Sequence, residues 1–253
     1  MKIQIASDLH LEFEDNRKFL RQNSLQPKGD ILLLPGDIVP FYELKKYRDF
    51  FLFCSDHFES TYWVPGNHEY YYSDLNERIG CFKEEIEKNV YLVNNCCISY
   101  HGVQFVFSTL WSLISKTNSW HIQNGLSDYR CIKDGNNLFT VFRSNQLFEE
   151  SLSFLKTTLA SSNYEKRIVV THHIPTLDKY PLDFENSIFN EAFATDLNHL
   201  ISTHRIDYWI YGHHHRNMTE FLVGKTKLIT NQLGYVKYGE HIDFKDDFII
   251  NVR

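Results

Sequence analysis

A chain of 253 residues, 43% of them hydrophobic, is long enough to bury a substantial core, and 11 glycines with 6 prolines fit a compact globular protein rather than a disordered one. The formal charge of −6 argues against broad non-specific nucleic-acid binding, which needs a cationic surface. No apolar run approaches the ~18 residues of a membrane span, and "MKIQIASDLH" reaches Asp8 too early for a signal peptide.

In chain order, Ile3, Ile5 and Ala6 make a short first strand ending in "SDLH", and residues 16–23 follow as an amphipathic helix. "DILLLPGD" is a buried strand running into a Pro-Gly break. Residues 43–55 predict a helix with Leu44, Tyr47, Phe50 and Phe51 on one face. "TYWVPGNHE" repeats the strand-then-break pattern, and residues 73–88 read as a helix capped by Ser73. "CCISYHG" and "VQFVFSTLW" form a hairpin about Gly102, with Cys96 and Cys97 on opposite faces. Residues 109–142 carry no clear period, and 143–159 are helical. "RIVVTHHIP" and "IDYWIYGHHH" are strands with polar ends, separated by a helix over 190–203. Antiparallel strands close the chain. With no repeat or linker, a single α/β domain over 1–253 is expected.

The five cysteines, Cys54, Cys81, Cys96, Cys97 and Cys131, are odd in number and contain no CxxC pair. They read as buried small hydrophobes of a reduced, cytoplasmic protein rather than as nucleophiles.

Five strand-like runs end in polar clusters: Asp8-x-His10, Gly36-Asp37, Gly66-Asn67-His68-Glu69, His172-His173 and Gly212-His213-His214-His215. Open α/β sheets gather strand ends at one edge and bind ligands there. Together these ends supply carboxylates, an amide and imidazoles but no thiolate, a donor set suited to Mn, Fe or Zn. In extended backbone, residues i and i+2 point the same way, so Asp8 pairs with His10 and His213 with His215, His214 turning away. The glycines before Asp37, Asn67 and His213 let the backbone bend toward the metals.

The series "SDLH … GDI … GNHE … THH … GHHH" resembles the calcineurin-like metallophosphoesterase superfamily over nearly the whole chain, Lys2 to Tyr235. The resemblance implies a four-layer αββα sandwich, two mixed β-sheets flanked by helices, around a dinuclear metal centre. By motif position it implies that Asp8, His10 and His215 bind one ion, Asn67, His172 and His213 the other, and that Asp37 bridges them. His68 becomes the non-ligand histidine beside the phosphate. His214 stands where threonine is usual in the family. "STLWSLI", "LSDYRCI" and "NQLGY" are similar to elements of a bacterial branch.

Two metals about 3.5–4 Å apart acidify a bridging water and clamp phosphoryl oxygens. The expected reaction is therefore hydrolysis of a phosphomonoester or phosphodiester of a small phosphorylated substrate by a metal-bridged hydroxide. His68 serves as acid or charge stabiliser, and Glu69 supports the site. Tyr70, Tyr71 and Tyr72 read either as an aromatic wall for substrate or as loop packing. Arg130 reads either as a phosphate ligand or as a structural ion-pair partner of Asp128 or a neighbour. His173 is a further candidate substrate contact that could exchange roles with His172, and Trp111 a packing residue near the site. "ELKKYR" reads as a solvated helix face. A nuclease on the same fold would need a basic groove with interleaved aromatics. A non-catalytic scaffold would have lost ligands or His68, whereas all eight positions are filled.

Overall fold

The chain runs through β1 (Lys2–Ile5), α1 (Glu14–Gln22) and β2 (Ile31–Leu34) into a 3₁₀ turn, Phe41–Tyr47, that leads to α2 (Arg48–His57). The computed structural model describes residues 1–161 and 164–252. Next come β3 (Ser60–Trp63), β4 (Phe82–Glu87), β5 (Val90–Asn94), β6 (Cys96–Tyr100) and β7 (Val103–Ser108). Two short helices, α3 (Ser119–Gly125) and α4 (Asp128–Cys131), and a small hairpin, β8 (Lys133–Asp134) with β9 (Asn137–Leu138), precede the long α5 (Val141–Leu159). The remainder is β10 (Lys166–Thr171), α6 (Asn198–Thr203), β11 (Tyr208–Ile210), β12 (Phe221–Val223), β13 (Thr226–Ile229) and β14 (Ile249–Asn251).

These strands form two six-stranded mixed sheets, ordered β14-β1-β2-β3-β5-β4 and β12-β13-β11-β10-β7-β6. In each sheet four parallel strands stand between two antiparallel edge strands. Parallel strands covered on both faces read as continuous apolar runs, as in "ILLL" of β2. Alternate side chains of the two sheets meet between them: Ile3, Ile5, Leu33 and Tyr62 from the first, Phe105, Phe107, Ile168 and Val170 from the second. The opposite set, including Leu32, Leu34, Trp63, Val106 and Trp209, packs outward in a second cluster with residues of the helices. α2 lies on β3 and β5, α5 on β7, and α6 on β12. α5 starts where the Thr140 side chain accepts from the Arg143 N–H. Val141, Ser144, Leu147, Phe148, Ser151, Leu155 and Leu159 then form its buried stripe. The result is the expected αββα sandwich. Among the described residues no helix is long and apolar enough to cross a membrane.

Three expectations need correction. Residues 73–88 are not a helix: a 3₁₀ turn (Leu75–Glu77), capped by Asp74 rather than Ser73, is followed by Gly80 at φ +73° and then β4. Glu and Lys favour helix locally, but Phe82 to Glu87 gain a ladder with β5, and Arg78 pairs with Glu84 at 2.7 Å. Tertiary pairing overrides propensity there. Residues 190–203 break into a 3₁₀ turn (Ile188–Ala192) and α6, because the intervening backbone pairs with Ile174 through Ile174 N–H to Phe193 O and Thr195 N–H to Ile174 O. Of the cysteines only Cys54 is buried; Cys81 and Cys97 are exposed, and Cys96 and Cys131 are half-buried. Cys96 and Cys97 do face opposite ways, but on an edge strand of alternating exposure.

Phe105 is fully buried between the sheets, near Phe107 and Tyr62. Phe105→Ala should destabilise the fold by about 3–5 kcal/mol, read as a lower urea midpoint at unchanged slope. A loss under ~1 kcal/mol would place the inter-sheet core elsewhere.

Candidate metal centre

All five polar clusters leave the carboxyl ends of parallel strands: β1, β2 and β3 of one sheet, β10 and β11 of the other. Extended backbone is not what makes them converge. Asp8 (φ +54°), His10 (+46°), Asp37 (+55°), His213 (+88°) and His215 (+54°) all take the left-handed conformation. Such residues cost on the order of 1–3 kcal/mol each and persist only where the surroundings impose them. Here the loops hold one another: Asp8 N–H donates to Gly36 O, His10 N–H to Asp37 O, Gly212 N–H to His172 O and His213 N–H to Asp8 Oδ1, at 2.9–3.0 Å.

The glycines serve two purposes. Gly36 uses its freedom at φ +90°. Gly66 and Gly212 instead permit close approach: a Cβ on Gly66 would overlap the Asp37 carboxylate and the His172 ring, and one on Gly212 would lie 2.6 Å from Asp8 Oδ2.

The donor atoms fall into two groups that share Asp37: Asp8, His10 and His215 with Asp37, and His172 and His213 with Asp37. Asp37 Oδ2 lies 3.7 Å from His10 Nε2, and its Oδ1 3.6 Å from His172 Nε2. His215 Nε2 is 3.0 Å from His10 Nε2 and 3.4 Å from Asp8 Oδ1. His172 Nε2 is 2.9 Å from His213 Nδ1 and 3.1 Å from Asn67 Oδ1. His213 and His215 thus diverge into different groups.

The outward-facing atoms of these side chains are occupied. His10 Nδ1 meets Glu12 at 3.1 Å, His215 Nδ1 meets Glu240 at 2.8 Å, and His172 Nδ1 meets Pro35 O at 2.8 Å. Asn67 Nδ2 donates to Asp128 at 2.9 Å, leaving Oδ1 turned inward. Fixing the far atom of a ligand in this way orients it toward a metal. Glu69, fully buried, accepts from the N–H groups of Asp37 (2.9 Å), Ile38 (2.6 Å) and Gly66 (2.6 Å) and from Trp63 Nε1 (3.2 Å). It ties the β2 and β3 ends together without touching the donor atoms.

The electrostatics suit cations. Burial, with Glu69 and Asp8 nearby, holds the Asp37 carboxyl well above its usual range. Burial lowers His10 and His172 to about 4, leaving neutral imidazoles with lone pairs to donate. Burial would also lower His215, but the carboxylates of Asp8 and Glu240 outweigh it and lift it to about 9. Neutral imidazoles facing crowded carboxylates are the donor set a pair of divalent ions needs, and such ions remove the repulsion around Asp37.

His68 stands beside the groups with Nδ1 3.1 Å from Glu12, Nε2 3.2 Å from the Tyr235 hydroxyl, and its ring stacked on Tyr71 at 4.2 Å. A pocket of about 290 Å³ opens over Asp37, Asn67 and His68, walled by Tyr71, Leu126, Phe184, Phe193 and Tyr235. Tyr70 does not join it: the ring is buried and its hydroxyl donates to Arg78 O. Tyr71 takes the wall and Tyr72 is exposed. Arg130 points away and donates to Asn124 O at 2.7 Å, pairing neither with Asp128 nor with the pocket. His173 is buried behind His213, at 4.2 Å between ring centres, and against Trp111. His214 turns toward Gln232, Tyr180 and Tyr211. Glu12, Tyr235 and Glu240 are residues that motif reading left without a role, and Asp128, read there only as a candidate ion-pair partner of Arg130, instead accepts from Asn67 and Tyr71. Glu12 repeats the i, i+2 spacing after His10, and Asp128 and Tyr235 lie in "LSDYRCI" and "NQLGY". Glu240 carries no signal in the sequence.

A calcineurin-like phosphoesterase family profile matches residues 1–217. The chain therefore belongs to the calcineurin-like phosphoesterase family. An uncharacterised protein of Acanthamoeba polyphaga mimivirus is 34% identical over 261 residues, covering 92% of this chain and 91% of its own. Phosphopantetheinyl hydrolase from Mycobacterium tuberculosis has a similar fold: TM-score 0.68 at 17% identity, over 93% of this chain and 90% of that one. A dimetal phosphatase from Danio rerio aligns with TM-score 0.49 at 15% identity, over 92% and 87%.

Glu69→Gln should lower the melting temperature and weaken metal retention. Its amide would turn a donor toward N–H groups, at about 1–3 kcal/mol for an unsatisfied buried pair. An unchanged melting temperature would mean that the clamp holds nothing. His213→Ala and His215→Ala should each lose bound metal by elemental analysis while His214→Ala keeps it. Greatest loss from His214→Ala would redraw the segment.

Proposed function

We propose that the protein is a dinuclear metal-dependent phosphoesterase acting on a small phosphomonoester or phosphodiester. One ion is held by Asp8, His10 and His215, the other by Asn67, His172 and His213, with Asp37 shared. The observation that carries this reading is the Asp37 carboxylate, which turns one oxygen toward each donor group. Histidine and carboxylate donors with an amide suit Mn, Fe or Zn. When bound, the pair supplies a nucleophilic hydroxide and positive charge for the phosphoryl oxygens.

The chain's own residues do the rest. Asn67 is fixed by Asp128 so that its amide oxygen faces the donors. Tyr71, Phe184 and Phe193 offer an apolar wall suited to an aryl or other flat leaving group. His68 donates a proton to the leaving oxygen from Nε2, the nitrogen on the Tyr235 side. Among the described residues, no Lys or Arg lines the pocket, which disfavours the nuclease reading. All five cysteines are free, as in a reducing compartment such as the cytoplasm.

Purified protein should contain two transition-metal ions per chain, and Asp37→Asn should weaken both sites. Full occupancy in that variant would remove the shared role. A screen of nucleotides, cyclic nucleotides, phosphodiesters and phosphoproteins with Mn²⁺ should reveal a hydrolysed class. His68→Ala should keep its metals and lose roughly 10²–10⁴-fold in turnover, most for alkyl and least for nitrophenyl esters. An equal loss on both would point to charge stabilisation instead of proton donation.

A further inference from the structure

Glu12 lies two residues beyond His10, and one of its oxygens does two things. Oε1 is 3.1 Å from His10 Nδ1 and 3.1 Å from His68 Nδ1, the two rings meeting edge to face at 4.5 Å. A carboxylate oxygen only accepts, so both histidine nitrogens donate to it. Both protons are thereby placed on Nδ1. His10 is left with its Nε2 lone pair facing Asp37 and His215. His68 is left with Nε2 on the pocket side, beside Tyr235. Oε2 of Glu12 is buried and has no partner among the described groups, so these two N–H donors are the carboxylate's hydrogen-bond partners.

We infer that Glu12 is a positioning residue shared by a metal-binding histidine and the proton-donating histidine, setting the tautomer and aim of both through one oxygen. This rests on the phosphoesterase reading. In turnover His68 acts as the imidazolium, protonated at both nitrogens beside the Glu12 carboxylate: its Nε2 proton passes to the leaving oxygen as that oxygen's bond to phosphorus breaks, and the ring is left neutral with its Nδ1–H on Glu12. The same three side chains could instead surround a cation. That would require both Nδ1 atoms to give up their protons, and His10 would then have to bind metal through both nitrogens.

The test uses zinc-loaded protein labelled with ¹⁵N-histidine, in which long-range ¹H–¹⁵N spectra report which ring nitrogen carries the proton. Wild type should show His10 and His68 protonated at Nδ1. Glu12→Ala should move His68 toward the Nε2–H tautomer, while Glu12→Gln, which keeps an accepting oxygen, should hold Nδ1–H. At saturating metal, Glu12→Ala should lower kcat on alkyl phosphates by about 10²-fold with KM little changed, and on nitrophenyl phosphates by much less. Glu12→Gln should fall between. An unmoved His68 tautomer in Glu12→Ala, or equal losses on both substrate kinds, would overturn the assignment. So would loss of a whole metal equivalent in Glu12→Gln, which would make Glu12 a ligand. A wild type that hydrolyses no phosphoester, with the tautomer switching as expected, would sink the phosphoesterase reading and leave the positioning role intact.

Discussion

The Glu69 carboxylate is fully buried and meets the backbone N–H groups of Asp37, Ile38 and Gly66 and the indole of Trp63. Burial pushes its pKa up to about 7 against the pull of those three backbone donors. Hydrogen bonds to a charged acceptor contribute about 1.5–3 kcal/mol each, and these join two loops that no strand pairing joins. The shared carboxylate of Asp37 sits on one loop and Asn67 and His68 on the other. Their relative position therefore depends on this clamp together with the His68 N–H, which donates directly to Asp37 Oδ1 at 3.0 Å.

The same logic extends across the two sheets. Asp8 accepts from His213 N–H, so the end of β1 in one sheet fixes the end of β11 in the other. Gly66 and Gly212 have no room for a side chain because the loops they join are packed to contact. Five donor residues in left-handed backbone are a local cost that such mutual bracing sustains. The sandwich supplies rigid strand ends, and the loops spend part of that stability on converging lone pairs.

Much of this was legible in the sequence because strands and their polar ends leave short-range signatures. The apolar runs at Ile31–Leu34 and Lys166–Thr171, and the residues just after them, reveal where the site lies. The pairing of Asp8 with His10 emerges from a period-two argument even though left-handed kinks, not extension, produce it. Long-range information was missing. Nothing local shows that "FKEEIE" pairs with β5 instead of coiling, or that Ile174 recruits residues 193–195 and so sets Phe193 against His213. Apart from Glu12, the residues that aim the donors come from distant segments, as with Glu240 on His215. Tyr70 and Arg130 misled for the complementary reason: residue type and proximity in sequence to a motif say nothing about which way a side chain turns.

Whether two ions share Asp37 is settled by anomalous diffraction from crystals grown with Mn²⁺. Two anomalous peaks are expected: one among Asp8, His10 and His215, one among Asn67, His172 and His213, each in contact with a different oxygen of Asp37. A single peak, or a second peak outside these side chains, would contradict a shared Asp37.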